Sequence, residues 1–192
     1  MPTRERKRLD DLEYYHFSDT DVGTFAIDVL RPDSWLEQAE GLLESASILA
    51  PELERRWSDH LDLRKLHRVF LMLCGFAVEN FCKAVIAVRL SEDQRERVRT
   101  GGDLPSAFKT HELQKLLENV RFVVPPKDDR LVKKLEIAVT WWGRYPAPVA
   151  PSHLHPKTAR GAELWPHSMG SDEIRTAVEF VQRVNSFVRA NI

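Results

Sequence analysis

Apolar residues recur at helical spacing along most of this 192-residue chain. The longest apolar run covers residues 69–88, and Glu79, Asn80 and Lys83 interrupt it near its middle. Residues three, four and seven positions apart share one face of a helix, so this spacing predicts amphipathic helices around a common core. The pattern therefore predicts an all-α fold, a bundle of four to five helices.

Capping residues and prolines predict where the helices begin and end. The first helix is expected to begin near Pro32 and to end or restart at Pro51. The central helix is expected to run from Ser58 or Asp59 to Leu90. Later start signals are found at Ser91, at Thr110, after the Pro125-Pro126 pair and at Ser171.

Two stretches lack a helical period. Phe25, Ile27 and Val29 alternate with other residues, which predicts a short extended segment within an N-terminal arm of residues 1–30. Residues 146–170 hold five of the eleven prolines and show neither a helical nor a strand period. Long loops of this kind in compact domains are usually functional or disordered, and here an ordered cover is expected. Residues 31–192 are predicted to form a single helical domain.

The chain is 43% apolar and 30% charged, as expected for a globular protein with a real core. A net charge of −1 gives no overall attraction to nucleic acid or to a membrane. No apolar stretch follows the basic N-terminus, so a signal peptide is not predicted and a cytoplasmic location is expected. Residues 69–88 have the length of a membrane span, but two charges at their centre favour a buried helix in a soluble bundle.

Glu79 and Lys83 form an i, i+4 pair on this apolar helix, where charged groups require partners. Candidate partners are His111, expected as a neutral ring in the first turn of its helix, and Arg144 with its neighbour Tyr145. The set is interpreted either as an internal polar network that fixes helix packing or as a phosphate-binding or catalytic cleft. Gly75, one turn before Glu79, predicts that a backbone or a ligand comes close there.

At these positions the sequence resembles the HEPN superfamily of helical domains. The resemblance rests on the helix segment 77–84 (AVENFCKA), on the helix start 111–113 (HEL) and on the helix end 143–146 (GRYP). It implies an up-and-down helical bundle that is frequently a homodimer. Such domains are common in bacterial toxin–antitoxin and phage-defence systems, and many of them are ribonucleases.

The resemblance also implies a test for catalysis, because catalytic members carry Arg-x(4–6)-His near the start of a late helix. Arg160 and His167 are separated by six residues, but Gly161 and Pro166 lie between them and oppose a helix. The leading prediction is a domain that binds a nucleotide, an RNA or a partner protein. The alternatives are a metal-independent endoribonuclease that uses Arg160 and His167, and a purely structural or dimerisation module.

No cofactor or metal is predicted. His153, His155 and His167 share the proline-rich loop, but they lack the tight ligand spacing of known zinc sites. Cys74 and Cys82 lie eight residues apart, about 12 Å along one helix at about 1.5 Å per residue. That separation exceeds the reach of a disulfide, so both are predicted to be core thiols.

Overall fold

The computed structural model describes residues 26–59, 64–101, 103–142, 157–159, 162–164 and 171–192. Apart from two three-residue strands at 157–159 and 162–164, these residues form an all-α bundle, which confirms the predicted fold class. The helices are α1 (residues 26–30), α2 (Pro32–Ser58), α3 (Arg64–Arg89), α4 (Glu92–Arg99), α5 (Ser106–Lys109), α6 (Leu113–Val120), α7 (Asp129–Ile137) and α8 (Ser171–Arg189).

Helix α3 is the centre of the bundle. It packs against α2 along its length and also contacts α6, α7 and α8. Phe70 and Phe81 of α3 and Phe180 of α8 are fully buried in the shared core. A helix surrounded in this way buries nearly its whole circumference, which explains why its sequence is apolar on all sides.

The segment Leu66–Arg89 is also long and apolar enough to cross a membrane. However, 72% of its most apolar window is buried inside the bundle. The burial is what a core helix of a soluble protein shows, and it agrees with the expectation from Glu79 and Lys83.

The predicted extended segment in the N-terminal arm is wrong for its described part, because residues 26–30 form helix α1. Ala26, Val29 and Leu30 are buried, whereas Ile27 is 58% exposed. Spacings of three and four residues therefore place one face of α1 on the core. Phe25 lies outside the described residues.

The predicted break at Pro51 is also wrong, because α2 continues through Pro51 to Ser58. Proline removes one N–H, so the carbonyl of Ser47 has no helical partner. Both residues are exposed, and water can hydrogen-bond that carbonyl. Leu53, only 1% exposed, anchors the last turns of α2 in the core.

The expected start of the central helix at Ser58 or Asp59 is wrong. Ser58 is the last residue of α2, and Asp59 caps it by donating its N–H to the Arg55 carbonyl at 3.0 Å. Helix α3 begins at Arg64 and ends at Arg89, close to the predicted end.

The predicted start signal at Ser91 is confirmed by a complete capping box. Ser91 Oγ accepts from the Gln94 N–H, and the Gln94 side chain accepts from the Ser91 N–H at 3.0 Å. The expected cap at Thr110 is wrong, because α6 begins only at Leu113. Thr110 Oγ1 instead accepts from the Glu112 N–H at 3.1 Å, which shapes the turn before α6.

Helix α7 continues without a break into a π-helical segment, Ala138–Trp142. This end of α7 lies close to α3 at Gly75. A Cβ atom built on Gly75 would lie 2.4 Å from Val139 Cγ2 and 2.9 Å from the Leu135 carbonyl oxygen. The predicted close approach at Gly75 is therefore confirmed, and its neighbours are the Val139 side chain and the backbone of Leu135.

Two short antiparallel strands lie in the proline-rich loop, so the absence of strands predicted for residues 146–170 is wrong in these positions. Strand β1 (Lys157–Ala159) pairs with β2 (Ala162–Leu164), with Thr158 opposite Glu163. Strands of three residues are too short to show the alternation of apolar and polar residues that predicts a strand. The last helix, α8, begins at Ser171 as predicted.

Candidate functional site

The polar positions of α3 form a buried ion pair. Lys83 Nζ donates to Glu79 Oε1 at 2.6 Å, and each side chain is only 5% exposed. The two residues are one helical turn apart, with the glutamate first, which is the favourable order for such a pair. Because the pair is shielded from water, each charge depends on the other for its stability.

His111 supplies the second partner of the carboxylate. Its Nδ1 lies 2.9 Å from Glu79 Oε2 and 3.1 Å from Oε1. An ionised carboxylate only accepts hydrogen bonds, so Nδ1 carries the proton and donates. The His111 side chain is 32% exposed, and it therefore connects the buried Glu79 with the surface.

The expected place of His111 in the first turn of its helix is wrong. It lies in the turn before α6, two residues ahead of Leu113. The argument for a neutral ring from the helix dipole therefore does not apply at this position. The contact with Glu79, rather than the helix, orients the ring. The predicted contact itself is present.

An aromatic contact completes the surroundings of the ion pair. Lys83 Nζ lies 5.5 Å from the ring centroid of Trp35 in α2, within cation–π range. Trp35 donates its indole N–H to the Val29 carbonyl at 2.8 Å and packs against Phe108, with the ring centroids 5.6 Å apart. Four segments, α1, α2, α3 and α5, thus meet around Trp35.

Asn80 lies on the neighbouring face of α3 and lines a surface pocket. Its Nδ2 donates to the Phe76 carbonyl at 2.9 Å, which leaves Oδ1 available as an acceptor. The pocket has a volume of ≈ 240 Å³. Its other lining residues are Asp28, Val29, Ser34, Trp35 and Gln38.

Comparisons with protein-family models, with curated proteins and with solved structures found no match to this chain. Three predicted site residues come together, namely Glu79, Lys83 and His111. Asn80 lies on the neighbouring face of α3 and lines the pocket described above. The other predicted residues lie outside the described part of the chain: Arg144, Tyr145, Arg160 and His167.

Metal binding finds no support within the described ranges. They contain no group of three histidine, cysteine or carboxylate side chains that could hold a metal ion. The three loop histidines considered as zinc ligands lie outside those ranges: His153, His155 and His167. Cys74 and Cys82 are free and buried, and burial raises the pKa of the Cys74 thiol to about 12. Both thiols are thus protonated and unreactive near neutral pH.

A second set of buried charges joins α7 to α8, and the sequence reasoning missed it. Lys134 Nζ donates to both oxygens of Glu173 at 2.6 and 2.7 Å, and the lysine side chain is 1% exposed. Arg183 donates to the fully buried Asp128 at 2.7 Å. Lys134 follows Leu131 by three residues, and this spacing is the signal that could have placed it on the buried face.

Burial lowers the pKa of Lys134 below its usual 10.5, and the Glu173 carboxylate offsets this only in part. The folded protein therefore bears a cost for the charged ammonium at neutral pH. Glu173 is 28% exposed and can turn to water if the lysine is removed.

Replacing Lys134 with methionine is expected to leave stability unchanged or to raise it at about pH 7, because a group of similar volume avoids the buried charge. The gain should shrink as pH rises toward 10.5, since the wild-type lysine loses its proton more readily in the folded than in the unfolded state. Urea unfolding at about pH 7 and about pH 10 measures both effects. Lys127→Met, at an exposed lysine, is the control. A loss of more than about 2 kcal/mol at neutral pH would contradict the expectation.

Proposed function

We propose that this chain is a HEPN-like helical domain of the cytoplasm that acts by binding a nucleotide or an RNA. The observation that carries the proposal is the contact of the partly exposed His111 with the buried Glu79 at 2.9 Å. The carboxylate fixes the orientation and the tautomer of this partly exposed ring. A preorganised ring of this kind is suited to contact a ribose hydroxyl or a phosphate oxygen.

The charge arrangement favours binding over cleavage. Metal-independent cleavage of RNA needs a proton acceptor near the 2′-hydroxyl and a cation near the phosphate. The cation nearest to His111 in this network is Lys83, which is 5% exposed and engaged with Glu79 and Trp35. Within the described site, the imidazole is thus a binding group without an accessible catalytic cation.

Binding and cleavage are separated by incubating the protein with mixed-sequence RNA in the presence of a chelator. Wild type, His111→Ala, His167→Ala and the exposed-site control Gln114→Ala are compared by filter binding and by gel electrophoresis. The proposal expects intact RNA throughout, with binding weakened by His111→Ala and unchanged by the other two substitutions. Cleavage that disappears in His167→Ala would replace the proposal with the endoribonuclease that uses Arg160 and His167.

The alternative of a purely structural module is supported by the near-complete burial of Glu79 and Lys83. It predicts that wild type binds neither RNA nor nucleotides, whereas the network still stabilises the fold. The absence of binding in the RNA experiment, together with a large loss of stability on removing Glu79, would favour that alternative.

The proposed assembly is a homodimer, in keeping with the HEPN resemblance and with a role in bacterial defence or a toxin–antitoxin pair. Large apolar side chains remain exposed on the single chain, including Ile48 at 72% and Val123 at 85%. Light scattering at micromolar concentration is expected to give twice the 22.2 kDa of one chain. A mass of 22.2 kDa at that concentration would contradict the homodimer.

A further inference from the structure

The pocket beside Asn80, here called the Asn80 pocket, combines an aromatic wall with several polar groups. Its lining residues come from α1 (Asp28, Val29), α2 (Ser34, Trp35, Gln38) and α3 (Asn80). Its volume of ≈ 240 Å³ is below the roughly 300–1,000 Å³ of pockets that hold drug-sized ligands. The pocket is therefore of a size for one ring system and its substituents.

The polar groups of the Asn80 pocket are available to a ligand. Within the described part of the chain, the side chains of Asp28, Ser34 and Gln38 make no hydrogen bond or ion pair. Asn80 uses its amide nitrogen on the Phe76 carbonyl, so its Oδ1 remains an acceptor. A small number of such groups converging beside an aromatic wall is typical of a ligand site.

The charge of the pocket defines the ligand class. Among its described lining residues Asp28 alone is charged, so an amine is favoured there and a phosphate is disfavoured. Carboxylates accept from the exocyclic amine of cytosine, and side-chain amides pair with the amine and ring nitrogen of adenine. Asp28 and Gln38 supply one group of each kind.

We infer that the Asn80 pocket binds the base of the nucleotide or RNA and selects adenine or cytosine over uracil through the exocyclic amine. This inference rests on the proposed function and extends it to base identity. Asp28 accepts a hydrogen bond from the amine, and the Gln38 amide pairs with the adjacent ring nitrogen. Uracil presents a carbonyl oxygen at the same position, which the carboxylate repels.

A larger pocket of ≈ 430 Å³ is less suited to a ligand, although three arginines line it. Arg95 already donates to the carbonyls of Ala87 and Val88 at the end of α3. Arg99 is engaged with Glu92 and Glu96. The Asn80 pocket differs because Asp28, Ser34 and Gln38 make no side-chain hydrogen bond or ion pair within the described part of the chain.

The test is calorimetric titration of the full chain with cytidine, adenosine and uridine. Wild type is expected to bind cytidine or adenosine at least about tenfold more tightly than uridine. Asp28→Asn should remove most of that preference, because an amide can donate to the uracil oxygen. Gln38→Ala should weaken the binding of the amino-bearing nucleosides by a similar factor. The controls are Asp93→Asn and Gln182→Ala, at exposed positions outside the pocket.

The outcomes separate this inference from the proposed function. RNA binding that depends on His111 but is unaffected by Asp28→Asn and Gln38→Ala would overturn the inference and leave the proposed function in place. Selective binding of free nucleosides without RNA binding would support the pocket and contradict an RNA-binding role. Equal binding of all three nucleosides, or binding of none, would overturn the base selection.

Discussion

Replacing Glu79 with alanine is expected to lower the free energy of unfolding by about 3–5 kcal/mol. The substitution leaves the Lys83 ammonium 5% exposed and without its 2.6 Å partner. The remaining contact of Lys83 in this network, the face of Trp35 at 5.5 Å, offsets only part of that loss. Denaturant unfolding monitored by circular dichroism measures the change.

A surface pair provides the matched control. Glu112→Ala removes the partner of Lys115, but both side chains are more than half exposed, so water screens the pair and the expected loss is much smaller than for Glu79→Ala. The double variant Glu79→Leu with Lys83→Met should recover most of the stability, because it removes both charges and keeps the volume. A loss below about 1 kcal/mol in Glu79→Ala, accompanied by lost RNA or nucleotide binding, would show a ligand site instead of a structural network.

The stabilising role and the binding role of the network can be measured separately, because its residues differ in solvent exposure. Glu79 and Lys83 are sealed inside the bundle, and His111 is about one-third exposed. Substitution of Glu79 should therefore act mainly on folding, and substitution of His111 mainly on binding. The two measurements together show whether the network supports a surface site or only the packing of α3.

Much of this network could be predicted because its signals are local. An apolar run broken by Glu79 and Lys83 one turn apart requires a buried pair, whatever the surrounding fold. The need to neutralise a buried carboxylate indicated His111 as a partner, and the structure places it there. The missing side chain at Gly75 likewise predicted a close neighbour.

Other features depend on contacts that periodicity does not encode. Pro51 resembles a helix end in sequence, but its exposed position and the anchoring of Leu53 let α2 continue. In sequence, Lys134 resembles a solvent-exposed lysine. Its burial depends on the position of α8, which places Glu173 within hydrogen-bonding distance. The Asn80 pocket could not be predicted from the sequence, because its walls come from three helices whose relative positions the sequence pattern does not give.

Replacing Gly75 with alanine is expected to destabilise the protein by about 1–3 kcal/mol, although alanine is the better helix former. The new methyl group would lie 2.4 Å from Val139 Cγ2 and 2.9 Å from the Leu135 carbonyl oxygen. A β-branched side chain has few alternative rotamers, and a helical carbonyl is fixed by the helix backbone. Relief therefore requires α3 and α7 to move apart, which exposes core surface on both.

Gly41→Ala is the control for the Gly75 prediction, because a Cβ atom there would meet nothing within 4 Å. In the exposed interior of α2 this substitution should stabilise the protein by up to about 1 kcal/mol through helix propensity alone. Opposite signs at the two glycines in parallel urea titrations would show that α3 and α7 touch at Gly75. Stabilisation at both positions would mean that the two helices are not in close contact there.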